Sequence, residues 1–427
     1  MSSQIINISG KLYDFLIYCN SSNKNIEPVC FNDELLKILK DGMFIVSEKF
    51  DEISYLKYMH NKDKYNDSYL SVVMLPTLRC NLNCHYCYEQ NKNLSLTNDN
   101  FNTLKLFFSK QSEQRKYITI RWSGGEILTE WNRIRELSKH IIQSCKKNNC
   151  EYVASAITNG TLLTEEILEE MCQCNIYSLQ ITLDGAKSEH NSVRSFKNGL
   201  GTFDKIIKSV ETASKRMKVI LRLNIDKHNI ETIQDLFYSL SVSDIDKSKL
   251  QLFCKPVLCT SVRTPKTALF SQSDFFEVEK QLMLLSEKYR IPFAFHWGMK
   301  GYYVRCAYNC LQGFYVTPDL KVYKCPVFID DLSSDNSIGH ITSEGDLLID
   351  NYEMYMKGLD YSPFENEECL KCKILPICHG KCPIIWERDK RACNSGCISE
   401  KYNLETKIRY ALRNDYEIHT FETSGII

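Results

Sequence analysis

From residue 70 to about residue 260, short apolar runs alternate with amphipathic stretches, and this alternation limits the fold more than any other feature. The runs are Leu70–Leu75, Tyr117–Trp122, Tyr152–Ile157, Tyr177–Leu183, Val219–Ile225 and Leu250–Pro256. Helical periodicity covers Asn100–Gln111, Trp131–Lys146, Glu165–Cys172, Phe203–Lys215 and Ile230–Leu240 between them. Strands joined by helix-length connections pair in parallel, with helices on the sheet faces. Six units fall short of the eight of a closed barrel. The expectation is therefore an α/β fold, a partial (β/α)6 TIM-like barrel over residues 70–297. Residues 1–69 read as a small N-terminal α+β segment. There KLYDFLIYC and FIVSEKF alternate like strands, and ELLKILKDG forms a short helix closed by Gly42. After Trp297 the sequence turns cysteine-rich as far as Cys397, and Glu400–Arg413 reads as a closing helix, which sets residues 298–427 apart as a third region.

Composition narrows the class. Lys+Arg and Asp+Glu both total 53, so no global field recruits nucleic acid or an acidic membrane. No apolar run is long enough to span a bilayer, and MSSQIINISG lacks the basic-then-apolar pattern of a secretory signal. The expected location is cytoplasmic. In that reducing setting, 20 cysteines point to metal ligands in the clusters and to small buried hydrophobes elsewhere, such as Cys19, Cys172 and Cys254.

The stretch Pro76–Glu89, PTLRCNLNCHYCYE, carries Cys80, Cys84 and Cys87 directly after the first apolar run. A loop leaving the carboxyl end of a parallel strand is where such folds place their chemistry. Three close thiolates can share one soft metal centre. Iron–sulfur clusters normally take four cysteines, so three leave one iron open to another ligand. A structural zinc site is the alternative, although zinc prefers close pairs with a fourth ligand nearby.

The CxxxCxxC spacing, with Tyr86 before the third cysteine, resembles the radical SAM signature. The resemblance implies a 4Fe–4S cluster whose open iron chelates S-adenosylmethionine, and reductive cleavage of that cofactor to a 5′-deoxyadenosyl radical that abstracts hydrogen from a substrate carbon. Later motifs agree with it. Ser123-Gly124-Gly125-Glu126 resembles the GGE motif that binds the methionine amino group; on its residues alone it would equally suit a strand-to-helix turn. Thr158-Asn159-Gly160 ends the third run. On the fourth, Gln180, Thr182 and Asp184 share one face by alternation. In related enzymes a Ser or Thr and an Arg in this region bind ribose and carboxylate. His190–Arg194, HNSVR, matches the family's continuation, so Arg194 is the expected carboxylate ligand. Arg222 and Asn224 serve equally as site residues or as an ordinary polar pair.

Near the C-terminus, Cys369, Cys372, Cys378 and Cys382 form CX2CX5CX3C. With Cys306, Cys310 and Cys325 before them and Cys393 and Cys397 after, they resemble the SPASM extension, which holds two auxiliary 4Fe–4S clusters. By that resemblance Cys306, Cys310, Cys325 and Cys382 ligate one cluster. Cys369, Cys372, Cys378 and Cys397, preferred to Cys393, ligate the other. Zinc knuckles are the alternative. The family has a glycine where this chain has Leu320, so the turn there is expected to do without an easy positive φ.

SPASM proteins mostly modify peptides. The sulfatase-maturing branch has QGGEP and an Asp base after the third auxiliary cysteine. This chain has Ser123, Ile127 and Pro326 at those positions, which disfavours that branch. Gly42–Tyr55 resembles the lead-in of peptide maturases that hold a leader peptide; on its residues alone the segment suits a helix and hairpin covering the barrel. The implied partners are a precursor peptide, to be joined by thioether or carbon–carbon crosslinks, and a reductant such as flavodoxin or ferredoxin. A non-enzymatic iron–sulfur or zinc scaffold is the reading from another class.

Overall fold

The structure is a computed structural model describing residues 6–7, 33–87, 93–257, 270–294, 306–329, 336–384, 397–413 and 419–420. It divides into two compact units, residues 65–295 with 306–361, and residues 1–64 with 296–305 and 362–427. The expected borders at 69/70 and 297/298 are not those of the units. The segment Cys306–Tyr361 packs with the barrel, and the described N-terminal helices belong with the C-terminal cysteines.

The strands are β1 (Ile6–Asn7), β2 (Tyr69–Met74), β3 (Tyr117–Trp122), β4 (Glu151–Thr158), β5 (Ile176–Leu183), β6 (Lys218–Ile225), β7 (Leu250–Pro256), β8 (Gly313–Val316), β9 (Lys321–Tyr323), β10 (Gly339–Ile341), β11 (Leu347–Ile349) and β12 (His419–Thr420). The two-residue strands β1 and β12 pair in parallel. The larger unit holds one ten-stranded sheet in the order β11-β10-β9-β8-β2-β3-β4-β5-β6-β7. Strands β2 to β7 are the six expected barrel strands, paired in parallel in chain order. Strand β8 adds a further parallel neighbour to β2, with Ser71 opposite Gly313 and Met74 opposite Val316. From there β9, β10 and β11 continue antiparallel. The barrel therefore extends into the cysteine-rich region, and Cys306, Cys310 and Cys325 sit beside its β8–β9 hairpin.

Helices Asn98–Gln114, Trp131–Lys147, Glu165–Gln173, Phe203–Ser214 and Ile233–Val242 connect the parallel strands, and a further helix, Gln272–Tyr289, follows β7. Thr97 and Thr164 cap two of them by accepting from the amides of Asn100 and Ile167. Their apolar sides meet an interior of fully buried side chains that includes Leu70, Ile118, Ile141, Leu179, Leu221 and Leu252. Burial alternates along β2, β3 and β4, so one face of each strand is buried and the other is half-buried or exposed.

In the smaller unit, helices Asp33–Asp41 and Glu52–Lys64 precede the barrel. Leu56 packs with Phe364, Cys369 and Leu375 in one cluster, and the His60 and Phe364 rings lie 5.5 Å apart. The first helix ends at Asp41 and Gly42 closes it as expected, its amide donating to the Ile38 carbonyl, with Met43 (φ 54°) in the left-handed region next. Phe44–Phe50, expected to be a strand, is a run of turns. The amides of Phe44 and Ile45 fold back onto the Leu39 carbonyl, which leaves no edge to pair. KLYDFLIYC lies outside the described residues.

Candidate functional site

The site forms at the carboxyl ends of β2 to β6. After β2 the chain enters the loop that carries Cys80, Cys84 and Cys87, and backbone hydrogen bonds fasten the root of this loop to the turn after β3. The amides of Ser123, Gly125 and Glu126 donate to the carbonyls of Met74 (2.9 Å), Thr77 (3.0 Å) and Arg79 (2.8 Å). Both glycines are forced by this contact. A Cβ on Gly124, which has φ 127°, would stand 2.3 Å from the Thr77 oxygen, and one on Gly125 would stand 2.1 Å from the Arg79 oxygen. The glycines thus bring this turn up against the cysteine loop.

Glu126 is fully buried and ties three elements together. Its carboxylate accepts from the Leu128 amide (2.9 Å), the Thr158 hydroxyl (2.7 Å) and the Asn159 amide (2.7 Å). Burial pushes its pKa up, and these three donors oppose the shift. Three of its roughly four acceptor positions are filled from within the protein. Asn159 carries the link onward by donating to Asn81 Oδ1 at 2.8 Å, with Cys80 Sγ 3.7 Å from the same Nδ2. Asn81 in turn donates to Thr161.

On the opposite side of the loop, the Tyr86 hydroxyl joins a buried polar network. It donates to Asp184 Oδ2 (2.6 Å) and accepts from Arg194 Nη2 (2.5 Å) and Asn224 Nδ2 (2.9 Å). Arg194 Nε also donates to Asp184 at 2.9 Å, and Arg222 donates to Asn224. His190 Nδ1 accepts the Asp184 amide, and its Nε2 lies 3.0 Å from Thr202 Oγ1. Burial would raise the Asp184 pKa, but Arg194 outweighs it, helped by His190 and the Tyr86 hydroxyl, and holds the carboxyl below its ordinary value. Burial takes His190 down to about 4, so its ring is neutral. The Asn83 amide donates to the Ser195 carbonyl and fixes the middle of the loop to the same segment.

The structure thus brings together Tyr86, Asp184, Arg194 and Asn224 on one side of the cysteine loop, and Gly124, Gly125, Glu126 and Asn159 on the other. Thr182 is buried near the end of β5, opposite Arg222 on β6. Asp184 and Arg194 are engaged with each other and with Tyr86, so the loop's shape is their first task. Asn81, Thr161 and Thr202 were not legible as site residues: Asn81 meets Asn159 and Thr161 only once β2 and β4 are paired into one sheet, and Thr202 meets His190 across the turn after β5. Burial drives Cys80 up to about 11 and raises Cys84. The Leu82 amide points at Cys80 Sγ at 3.4 Å, a contact that steadies a metal-bound thiolate.

In the smaller unit, Cys369, Cys372, Cys378 and Cys397 line one small, partly open cavity together with Ile374, Leu375, Lys381 and Lys401. Cys382 does not line it, and Cys393 lies outside the described residues. Burial raises Cys369 and Cys397 and takes Cys378 to about 11. Lys381, itself buried and 3.2 Å from Glu368, opposes the shift at Cys369. Among the described residues, no three His, Cys, Asp or Glu side chains close to the spacing of a single metal ion. Four thiols around a cavity suit a polynuclear cluster in charge, softness and number.

Cys306, Cys310 and Cys325 flank the β8–β9 hairpin in the larger unit. Leu320 takes φ 65° in that hairpin, so the turn keeps the left-handed residue even though it is a leucine and not a glycine. Its side chain is buried, and burial offsets a backbone cost on the order of 1 kcal/mol.

Comparison with known proteins agrees with this geometry. Residues 74–238 match the model of the radical SAM superfamily. The superfamily's cofactors are a 4Fe–4S cluster and S-adenosylmethionine, and the donor set of Cys80, Cys84 and Cys87 fits the cluster. Relatives include the radical SAM cyclopropyl synthase TigE of Paramaledivibacter caminithermalis, 25% identical over 39% of this chain and 41% of its own. The serine-type anaerobic sulfatase-maturating enzyme of Bacteroides thetaiotaomicron is 29% identical over 32% and 34%. The first curated relatives are matched over 41% to 44% of their own length. In fold, the chain is similar to anSMEcpe with bound AdoMet (TM-score 0.56, 20% identity, 81% of this chain and 97% of that one). It is also similar to SuiB of Streptococcus suis (TM-score 0.53, 15% identity, 88% and 84%).

Proposed function

We propose that this chain is a radical SAM enzyme that modifies a ribosomally made precursor peptide through a thioether or carbon–carbon crosslink. The observation that carries the reading is the loop of Cys80, Cys84 and Cys87, tied on both flanks to the carboxyl ends of parallel strands. In this reading the three thiols hold a 4Fe–4S cluster, which together with S-adenosylmethionine supplies reductive cleavage and hydrogen abstraction when bound. Gly124, Gly125, Glu126 and Asn159 fix one flank of the loop. Tyr86, Asp184, Arg194 and Asn224 fix the other, and Thr182 and the remaining guanidinium nitrogen of Arg194 are left to meet the cofactor. Cys369, Cys372, Cys378 and Cys397 hold an auxiliary cluster. Cys306, Cys310 and Cys325 are ligands of a further one.

A peptide substrate is supported by the company the fold keeps. SuiB has been described bound to a precursor peptide and anSMEcpe bound to a peptide with AdoMet. Sulfatase maturation is disfavoured because Pro326, which opens a tight turn after Cys325, stands where that branch carries its base. The reading takes the chain to be cytoplasmic and served by flavodoxin or ferredoxin. Among the described residues, no helix is long and apolar enough to cross a membrane.

The test is anaerobic reduction of the reconstituted protein with S-adenosylmethionine. Wild type should release 5′-deoxyadenosine and Cys80/Cys84/Cys87→Ala should release none; equal release by both sinks the reading. Offered a precursor and its leaderless core, the enzyme should prefer the precursor, and equal rates would remove any leader-holding role for Gly42–Tyr55.

A further inference from the structure

Lys324 is 1% exposed, on the step between β9 and Cys325. Its Nζ donates to three backbone carbonyls, those of Cys310, Leu311 (3.4 Å) and Gly313 (2.9 Å). Only an ammonium has three N–H groups to give. A neutral amine would turn a lone pair toward one of these oxygens. The ammonium also sits over two aromatic faces, 4.8 Å from the Phe314 centroid and 5.2 Å from that of Tyr355. The Tyr355 hydroxyl closes the cage by donating to Leu311 O. Among the described residues no carboxylate pairs with Lys324. Burial lowers Lys324 to about 7, and the charges that oppose this are those of Cys310 and Cys306, so the field of the ammonium falls on these two cysteines.

A buried cation without an acidic partner is costly unless an anion nearby offsets it. A cluster held by thiolates is such an anion, and it gains a further negative charge on reduction. We propose that Lys324 is the fixed counter-charge of the cluster ligated by Cys306, Cys310 and Cys325, and that it raises that cluster's reduction potential. The inference rests on the auxiliary-cluster reading above. It makes Lys324 a positioning residue acting through the field at the cluster, where hydrogen bonds, charge and burial set potential.

The experiment uses the full chain carrying Cys80/Cys84/Cys87→Ala, reconstituted anaerobically so that only auxiliary clusters report. Iron is counted first, and EPR-monitored redox titrations are then run with Lys324, Lys324→Met and Lys324→Arg. At a fixed poise, Lys324→Met should lower the reduced-to-oxidised ratio of one cluster about tenfold, equivalent to about 59 mV for one electron, while Lys324→Arg stays near the parent. Unchanged potentials for both clusters in Lys324→Met at full iron content would overturn the proposal. Loss of about four irons in Lys324→Met but not in Lys324→Arg would support a need for the charge. The same loss in both would overturn it in favour of a packing role. If the parent itself lacks a second auxiliary cluster, the auxiliary-cluster reading fails and the role of Lys324 falls with it, an outcome the iron count separates from unchanged potentials.

Discussion

The cysteine loop of the barrel and the cysteine cavity of the smaller unit are built on opposite principles. Side chains distant in sequence hold the loop, such as Asn224, 138 residues from Tyr86, and its polar groups find partners on several strands. The cavity is framed by helical turns of four residues each, Glu367–Leu370 and Leu375–Cys378. Turns that short have no stability of their own. The barrel therefore shapes its site before any metal arrives, whereas the cavity depends on its ligand for much of its order.

Stripping iron with a chelator should separate the two most. Metal binding to small cysteine sites is worth on the order of 10 kcal/mol. Hydrogen exchange should rise sharply over residues 367–384 and stay low in β2 to β6. Equal loosening of both regions would break the contrast.

Arg194→Met comes next, because removing one partner of a buried pair costs about 3–5 kcal/mol. Urea denaturation should show that loss, and a change below about 1 kcal/mol would contradict the network. The pH dependence sharpens it. The depressed pKa of Asp184 means the pair's contribution is complete above the ordinary carboxylate range and is lost only as pH falls through the lowered value. Without Arg194, burial raises that pKa, so acid unfolding should begin at higher pH.

Gly125→Ala should cost about 1–3 kcal/mol, because its Cβ would meet the Arg79 oxygen. It should release the barrel's iron while sparing the cavity's, and full iron retention would show that the turn can give way. Of similar size is Tyr86→Phe, at about 1–3 kcal/mol, since it strands Asp184 and two donors. Its readout is faster exchange of the Asn83 amide with the sheet unchanged; no change would remove Tyr86 from the tie.

What was legible in the sequence follows the same division. Strands β2 to β7 read clearly because each is apolar and bounded by turns, and the three loop cysteines because their spacing is local. Strand β8 was missed: GFYV is four residues, and only its pairing with β2, some 240 residues earlier, makes it a strand. The helix Gln272–Tyr289 did carry a local signal, Ser271 capping the Asp274 amide, that a search for capping boxes would find. Leu320 holds a left-handed position where glycine was the expected residue, because tertiary contacts outweigh a small backbone preference. Nothing local marks Lys324, since its cage is assembled by the hairpin and by Tyr355.

The central claim, a barrel cluster on three cysteines and auxiliary clusters elsewhere, is tested most directly by iron and sulfide analysis after anaerobic reconstitution. With four irons per cluster, wild type should hold about 12 per chain and Cys80/Cys84/Cys87→Ala about 8. Near 4 in the wild type, with zinc making up the balance, would make the C-terminal cysteines structural. No iron in the wild type would contradict the account outright.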